Sequence, residues 1–145
     1  MSKKEFSHSI AVRTRYSETD QMGFVYYGRF AEYYEIGRVE TIRALGMSYR
    51  DLEIHDHIIM PVMSMQVRYL RPATYDQELI IKTLLRSIPS DVITFNTEIL
   101  NESRRIINAA VIRLCFLNAD TKQRVTCPPK LRDLIAHAIE NSTLS

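Results

Sequence analysis

Near the N-terminus, the run Ser17-Glu18-Thr19-Asp20-Gln21-Met22-Gly23-Phe24-Val25-Tyr26-Tyr27-Gly28-Arg29-Phe30 gathers the residue types best suited to chemistry. It sets a carboxylate, Asp20, just ahead of a turn glycine, Gly23, and leads into the longest helical pattern of the chain. The start of a helix offers backbone N–H groups without intrahelical partners and the positive end of the dipole. Such groups can hold an oxyanion as it develops. An acid a few residues away can act on the same substrate atom, as a base towards water or as a nucleophile. The competing reading is an aspartate that closes a turn through its side chain, which is the common role of aspartate in loops.

The elements on either side must hold this junction. From His8 to Tyr16 the residues alternate, Ile10, Val12, Thr14 and Tyr16 against Ser9, Ala11, Arg13 and Arg15, which predicts a strand with one wet face. The polar start, Met1–Phe6, reads as loose. From about Tyr26 to Leu45 the spacing is helical, with Phe30, Tyr33, Tyr34, Gly37, Thr41, Ala44 and Leu45 on one stripe and Arg29, Glu32, Glu40 and Arg43 opposite. Gly37 costs this helix roughly 1 kcal/mol against alanine, so another element must pass close there. Gly46 is the expected C-cap. Ile36 and Val39 fall off the stripe, which suggests a second buried face between subunits.

The rest reads as strands joined by turns: 61–70, 78–88, 92–100, 106–117 and a short 124–126, after a turn or helical piece over 48–56. Pro128 and Pro129 open a last helix, Lys130 to about Glu140. Consecutive strands with short connections make antiparallel neighbours. The expectation is an α+β fold, one antiparallel sheet with the long helix on one face.

Composition narrows the function. The 145 residues suit a single domain over 1–145, with 46% hydrophobic and 25% charged residues. A net charge of +2 is too small to argue for nucleic acid, though it suits a small polyanion. Two cysteines, Cys115 and Cys127, build no disulfide framework. No leader pattern and no apolar run of membrane-spanning length is present, so the chain reads as cytoplasmic, without membrane association.

With its Asp20-Gln21-Met22-Gly23-Phe24-Val25 junction, this order of elements resembles the hotdog-fold thioesterases, in particular the 4-hydroxybenzoyl-CoA thioesterase family. The motif residues are Asp20, Gly23, Val25, Tyr26 and Tyr27. Further matches are Tyr33-Tyr34-Glu35 with Arg38, Ala44-Leu45-Gly46, Tyr69-Leu70-Arg71-Pro72-Ala73 and Pro128-Pro129-Lys130-Leu131, so the resemblance spans nearly the whole chain. It implies a hotdog fold, a sheet wrapped around one central helix. It also implies hydrolysis of an acyl-CoA thioester without metal or organic cofactor, in a homo-oligomer that is a dimer or a dimer of dimers, hence a homotetramer. By position, Asp20 is the catalytic carboxylate, the backbone N–H of Tyr27 polarises the thioester carbonyl, and Gly23 shapes the loop. Val25, Tyr26 and Gly28 are the expected substrate-binding positions. Relatives often carry histidine where Tyr27 stands and asparagine where Arg29 stands.

Two mechanisms stay open, attack by Asp20 to form an acyl-aspartyl anhydride and activation of water by Asp20. An acyl-carrier-protein thioesterase and a non-catalytic acyl-thioester-binding protein are the alternative functions. A hydratase on the same fold would pair its acid with a histidine, and none is near the junction.

Other polar groups read as structural. Glu35 and Arg38 are spaced to pair on the helix. Glu18 is expected to point to water. His55 and His57 lack a third ligand for zinc. Arg68, Arg71, Arg104, Arg105, Arg124 and Lys130 form a charged rim that suits solvent or the phosphates of CoA. No Gly-x-Ser-x-Gly elbow and no phosphate loop is present.

Overall fold

In the computed structural model, which describes residues 4–142, the alternating segment forms β1, Phe6–Arg13. Of the polar start read as loose, residues 1–3 lie outside the described residues. The strand stops before Thr14, because Tyr16–Glu18 winds into a short 3-10 turn. A second 3-10 turn, Tyr27–Arg29, precedes the long helix α1, Phe30–Ala44. The first turn of the expected helix is therefore tighter than an α-helix. There follow α2 (Tyr49–His55), β2 (Ile58–Ile59), β3 (Val62–Tyr69), β4 (Glu78–Leu85), β5 (Val92–Leu100), β6 (Ile106–Asn118), β7 (Arg124–Val125) and α3 (Pro129–Glu140).

All strand pairs are antiparallel, in the order β1-β4-β5-β6, and β6 also pairs with β3, β2 and β7. Because β5 and β3 both pair with the first part of β6, they flank it on opposite edges. Helix α1 lies across β1, β4 and β5. Its buried face is Phe30, Tyr33, Tyr34, Gly37, Arg38, Thr41 and Ile42. The stripe read from spacing thus holds through Thr41, then rotates, so that Ile42 is buried and Ala44 is exposed.

Gly37 marks the closest approach of helix and sheet. A Cβ there would stand 2.6 Å from Ile81 Cγ2 and 2.8 Å from Thr83 Oγ1, both on β4. The centre of β4 and the middle of α1 therefore fit only without a side chain at position 37. Beneath the helix, Leu79, Ile81, Ile93, Phe95, Ile99, Ile107, Ile112 and Leu114 are buried from the sheet side. Gly46 ends α1 at φ +101°, the left-handed conformation of a C-cap. In α3, Pro129 occupies the first turn and Leu131 and Ile135 are buried.

One pairing differs from the sequence reading. Glu35 and Arg38 make no ion pair. Arg38 is 9% exposed and sits by the Tyr49 hydroxyl, while Glu35 is exposed. Strand β3 buries neither face, since Val62, Met63, Ser64, Met65 and Gln66 are all exposed. Its outer edge has no pairing strand among the described residues.

Candidate active site

The junction between β1 and α1 is a wide loop tied to a distant turn of the chain. Val25 N–H donates to Ala73 O at 2.8 Å, and Phe24 bridges Thr74. Thr14 N–H donates to Gln77 O at 2.9 Å, and Gln77 N–H donates to the Thr14 hydroxyl at 2.9 Å. Within the loop, Thr19 bridges Val25, and Asp20 N–H donates to Phe24 O at 2.8 Å. Gly23 N–H returns to Asp20 O at 3.0 Å with Gly23 at φ +84°, which is the reason for glycine there.

This small closed turn presents the Asp20 side chain. Its Oδ1 accepts the Met22 N–H at 2.9 Å and the Phe24 N–H at 3.4 Å. The capping reading of Asp20 is therefore realised, by one oxygen only. Among the described residues, no hydrogen bond or ion pair falls on Oδ2.

The helix start is equally incomplete. Tyr26 N–H is taken by Glu18 O at 2.8 Å, and Arg29 N–H by Tyr26 O at 2.9 Å. Between them, the N–H groups of Tyr27 and Gly28 have no acceptor among the described residues. They are the orphan donors that the first turn of any helix leaves.

Asp20 and Tyr27 border the same open depression, of about 290 Å³. Met22, Phe24, Val25, Phe30, Tyr69 and Leu70 make its walls apolar, and Arg71 and Pro72 complete the rim. Tyr69 stands edge-on to Tyr27 and Phe30, at ring separations of 6.2 and 5.8 Å. Arg71 also donates to Ile106 O at 2.9 Å.

The depression thus brings together Asp20, Val25 and Tyr27 of the expected site residues, with Gly23 shaping the loop from outside it. Tyr26 and Gly28 do not line it. The Tyr26 ring lies against Tyr27 at 4.7 Å and would stand 3.0 Å from a Cβ at position 28. The Tyr26 phenol is held above its usual range chiefly by Tyr27 beside it, with a smaller contribution from the Asp20 charge.

Sequence reasoning missed the wall residues Phe24, Phe30 and Tyr69 as partners of Asp20. It also misplaced Glu18, which is 5% exposed. Because the chain turns at Tyr16–Glu18, the Glu18 side chain swings under the loop. It accepts the Tyr33 hydroxyl at 2.7 Å and the Arg15 N–H at 2.8 Å. The signal available in the sequence was Tyr33 on the buried stripe, a hydroxyl that must find an acceptor. Burial, and then this carboxylate, push the Tyr33 phenol well above its ordinary range.

Comparison with known proteins agrees with this architecture. A family model described as the thioesterase-like superfamily matches residues 14–135. YneP of Bacillus subtilis is 29% identical over 79% of this chain and 79% of its own length. The acyl-CoA thioesterase YbgC of Haemophilus influenzae is 22% identical over 89% of this chain and 94% of its own. Among solved structures, a DHNA-CoA thioesterase from Staphylococcus aureus superposes with a TM-score of 0.85 at 27% identity, covering 90% of this chain and 89% of that one. With a match that runs from the junction through strands β2 to β7 and into α3, the chain belongs to the thioesterase-like superfamily and has its hotdog fold.

Proposed function

We propose that this protein hydrolyses the thioester of an acyl-CoA to the free acid and CoA. The observation that carries the reading is the shared depression. A carboxylate with one oxygen uncommitted among the described residues, Asp20, and a helix-start residue with an N–H likewise uncommitted, Tyr27, border one apolar hollow. The names of the relatives, acyl-CoA thioesterase and DHNA-CoA thioesterase, support the same chemistry.

In this reading the acyl group fills the hollow and its carbonyl oxygen meets the Tyr27 N–H, at the positive end of the helix. Asp20 then acts in one of two ways. As a nucleophile, its Oδ2 adds to the carbonyl carbon, the C–S bond breaks, and the CoA thiolate leaves. Water then cleaves the acyl-aspartyl anhydride. As a base, Asp20 takes a proton from a water whose oxygen adds to the same carbon, and the thiolate again leaves. A thiolate is a good enough leaving group that neither route needs a strong general acid. Residues 1–145 act as one hotdog domain, with no metal or organic cofactor assigned a role.

The same reading includes self-association. Among the described residues, strand β3 offers an unpaired outer edge and exposed Val62, Met63 and Met65, and an edge of that kind favours pairing with another strand. A dimer through this edge, or a dimer of such dimers, would cover it. A cytoplasmic location belongs to the proposal too. Among the described residues no helix is long and apolar enough to cross a membrane.

The test is thiol release from short, long and aromatic acyl-CoAs by wild type and Asp20→Asn in parallel. Turnover by wild type with a loss of about 100-fold or more in the variant is expected. Turnover of acyl-carrier-protein esters alone would transfer the reading to that carrier. Tight binding without turnover would replace it with a binding protein.

A further inference from the structure

Glu18 is a charged residue in a place where charge is expensive. It is 5% exposed, among the buried residues of the chain. A buried carboxylate persists only when its oxygens are satisfied. Here Oε1 accepts two hydrogen bonds, from the Tyr33 hydroxyl at 2.7 Å and the Arg15 N–H at 2.8 Å. Oε2 lies 3.8 Å from the Arg15 guanidinium, which is itself largely in solvent.

These contacts tie together three pieces of chain. Arg15 lies just past β1 and enters the 3-10 turn that Glu18 ends. Tyr33 is on the first turn of α1. Through its backbone, Glu18 also takes the Tyr26 N–H at 2.8 Å. Asp20 follows Glu18 by two residues, and Tyr27 follows Tyr26 by one. The acid and the free N–H donor are therefore both suspended from this one residue, one on each side.

We propose that Glu18 is a positioning residue for the hydrolysis, which holds the Asp20 loop and the N-terminus of α1 in a single frame so that both address one carbonyl. The proposal rests on the function inferred above. What matters is the acceptor geometry of Glu18, because neither oxygen faces the hollow and the residue does not line it. An oxygen acceptor of the same shape, glutamine, can still take both hydrogen bonds at its carbonyl oxygen.

The experiment compares wild type, Glu18→Ala, Glu18→Gln and Tyr33→Phe, at a temperature where each is folded by circular dichroism. It reads kcat and KM on an acyl-CoA that wild type hydrolyses, and backbone amide resonances of the same proteins. Glu18→Ala and Tyr33→Phe are expected to lose roughly 10- to 100-fold in kcat with KM within about twofold, because misplacement of about 1 Å costs that much. Glu18→Gln is expected within about threefold of wild type, since the acceptor survives. The Tyr27 and Gly28 amides should shift in Glu18→Ala, and the Tyr26 N–H should exchange faster with solvent. A residue that merely stabilised the fold would lower the melting temperature and leave kcat unchanged.

A folded Glu18→Ala with wild-type kcat, or with the Tyr27 and Gly28 amides unmoved, overturns the proposal. If Glu18→Ala does not fold, Tyr33→Phe, which deletes a single hydroxyl, carries the same test. If wild type turns over no CoA ester, the functional reading fails separately, and the amide resonances alone decide the role of Glu18.

Discussion

Asp20 Oδ1 accepts the backbone N–H of Met22 at 2.9 Å, so the residue proposed to do the chemistry also closes the turn that displays it. The two duties are separable by substitution. Asparagine keeps an acceptor oxygen for Met22 and removes the charge, whereas alanine removes both. Asp20→Asn is expected to lose about 100-fold or more in turnover while its melting temperature stays near that of wild type. Asp20→Ala is expected to lose the activity and about 1 kcal/mol of stability as well, the usual worth of such a bond. Calorimetry of the two variants beside their rates checks this. An active Asp20→Asn would leave Asp20 with the turn alone.

The Tyr27 N–H can be removed together with the ring, and the two losses can then be separated. Tyr26 sits at φ −60° and ψ 134°, an extended conformation that a following proline favours. Position 27 opens a helical turn, where proline is tolerated because its missing N–H has no intrahelical partner. Tyr27→Pro is therefore expected to fold and to lose roughly 10²- to 10³-fold in kcat, as for the loss of one oxyanion donor. Tyr27→Ala serves as the control for the ring, and should lose far less in kcat. Equal losses in the two would assign the effect to the side chain.

Gly37 should resist any side chain. Its Cβ would meet Ile81 Cγ2 at 2.6 Å and Thr83 Oγ1 at 2.8 Å, and both residues are fully buried in β4. Overpacking of this kind costs about 1–3 kcal/mol. The better helix propensity of alanine returns up to about 1 kcal/mol. Gly37→Ala is expected to be destabilised, by up to about 2 kcal/mol in denaturant unfolding, the difference of those two effects. A more stable Gly37→Ala would mean that α1 and β4 separate more readily than their packing indicates.

Burial pushes the Cys127 thiol from its ordinary 9.0 up to about 11, with Arg132 pulling weakly the other way. The folded protein thus retains a proton that the unfolded chain releases. The stability this contributes is complete below about pH 9, falls as pH rises to about 11, and is constant above that. Tyr49, pushed up to about 12 by burial, adds to the same slope at its upper end. Melting temperatures of wild type should fall across this window, and less steeply for Cys127→Ala. Parallel slopes for the two proteins would exclude Cys127 as the source.

The fold was legible wherever burial follows a period. Ile93, Phe95, Thr97 and Ile99 alternate in the sequence and all face the core of β5. Tyr33, Tyr34 and Gly37 repeat at helical spacing and all face the sheet. The candidate site was half legible, because Asp20, Gly23 and Tyr27 sit in one short run. What spacing could not supply was the set of contacts made across the chain. Glu18 looked like a wet loop residue because its partner, Tyr33, is on another element. Tyr69 joins Tyr27 and Phe30 only after β3 has docked beside β6. Arg38 was placed at the edge of the stripe and paired with Glu35, but it is buried beside Tyr49 of α2, and helical spacing says nothing about α2.

The stitches from Thr14 to Thr74 and Gln77, across sequence separations of 60 and 63 residues, have a kinetic meaning. Closing so long a segment is entropically costly and slow compared with forming a helix. The Asp20 loop is anchored on one side by such contacts, so α1 forming by itself does not assemble the acid and the N–H donor. In refolding, catalytic competence should return with the slowest long-range pairing and lag behind the recovery of helical signal.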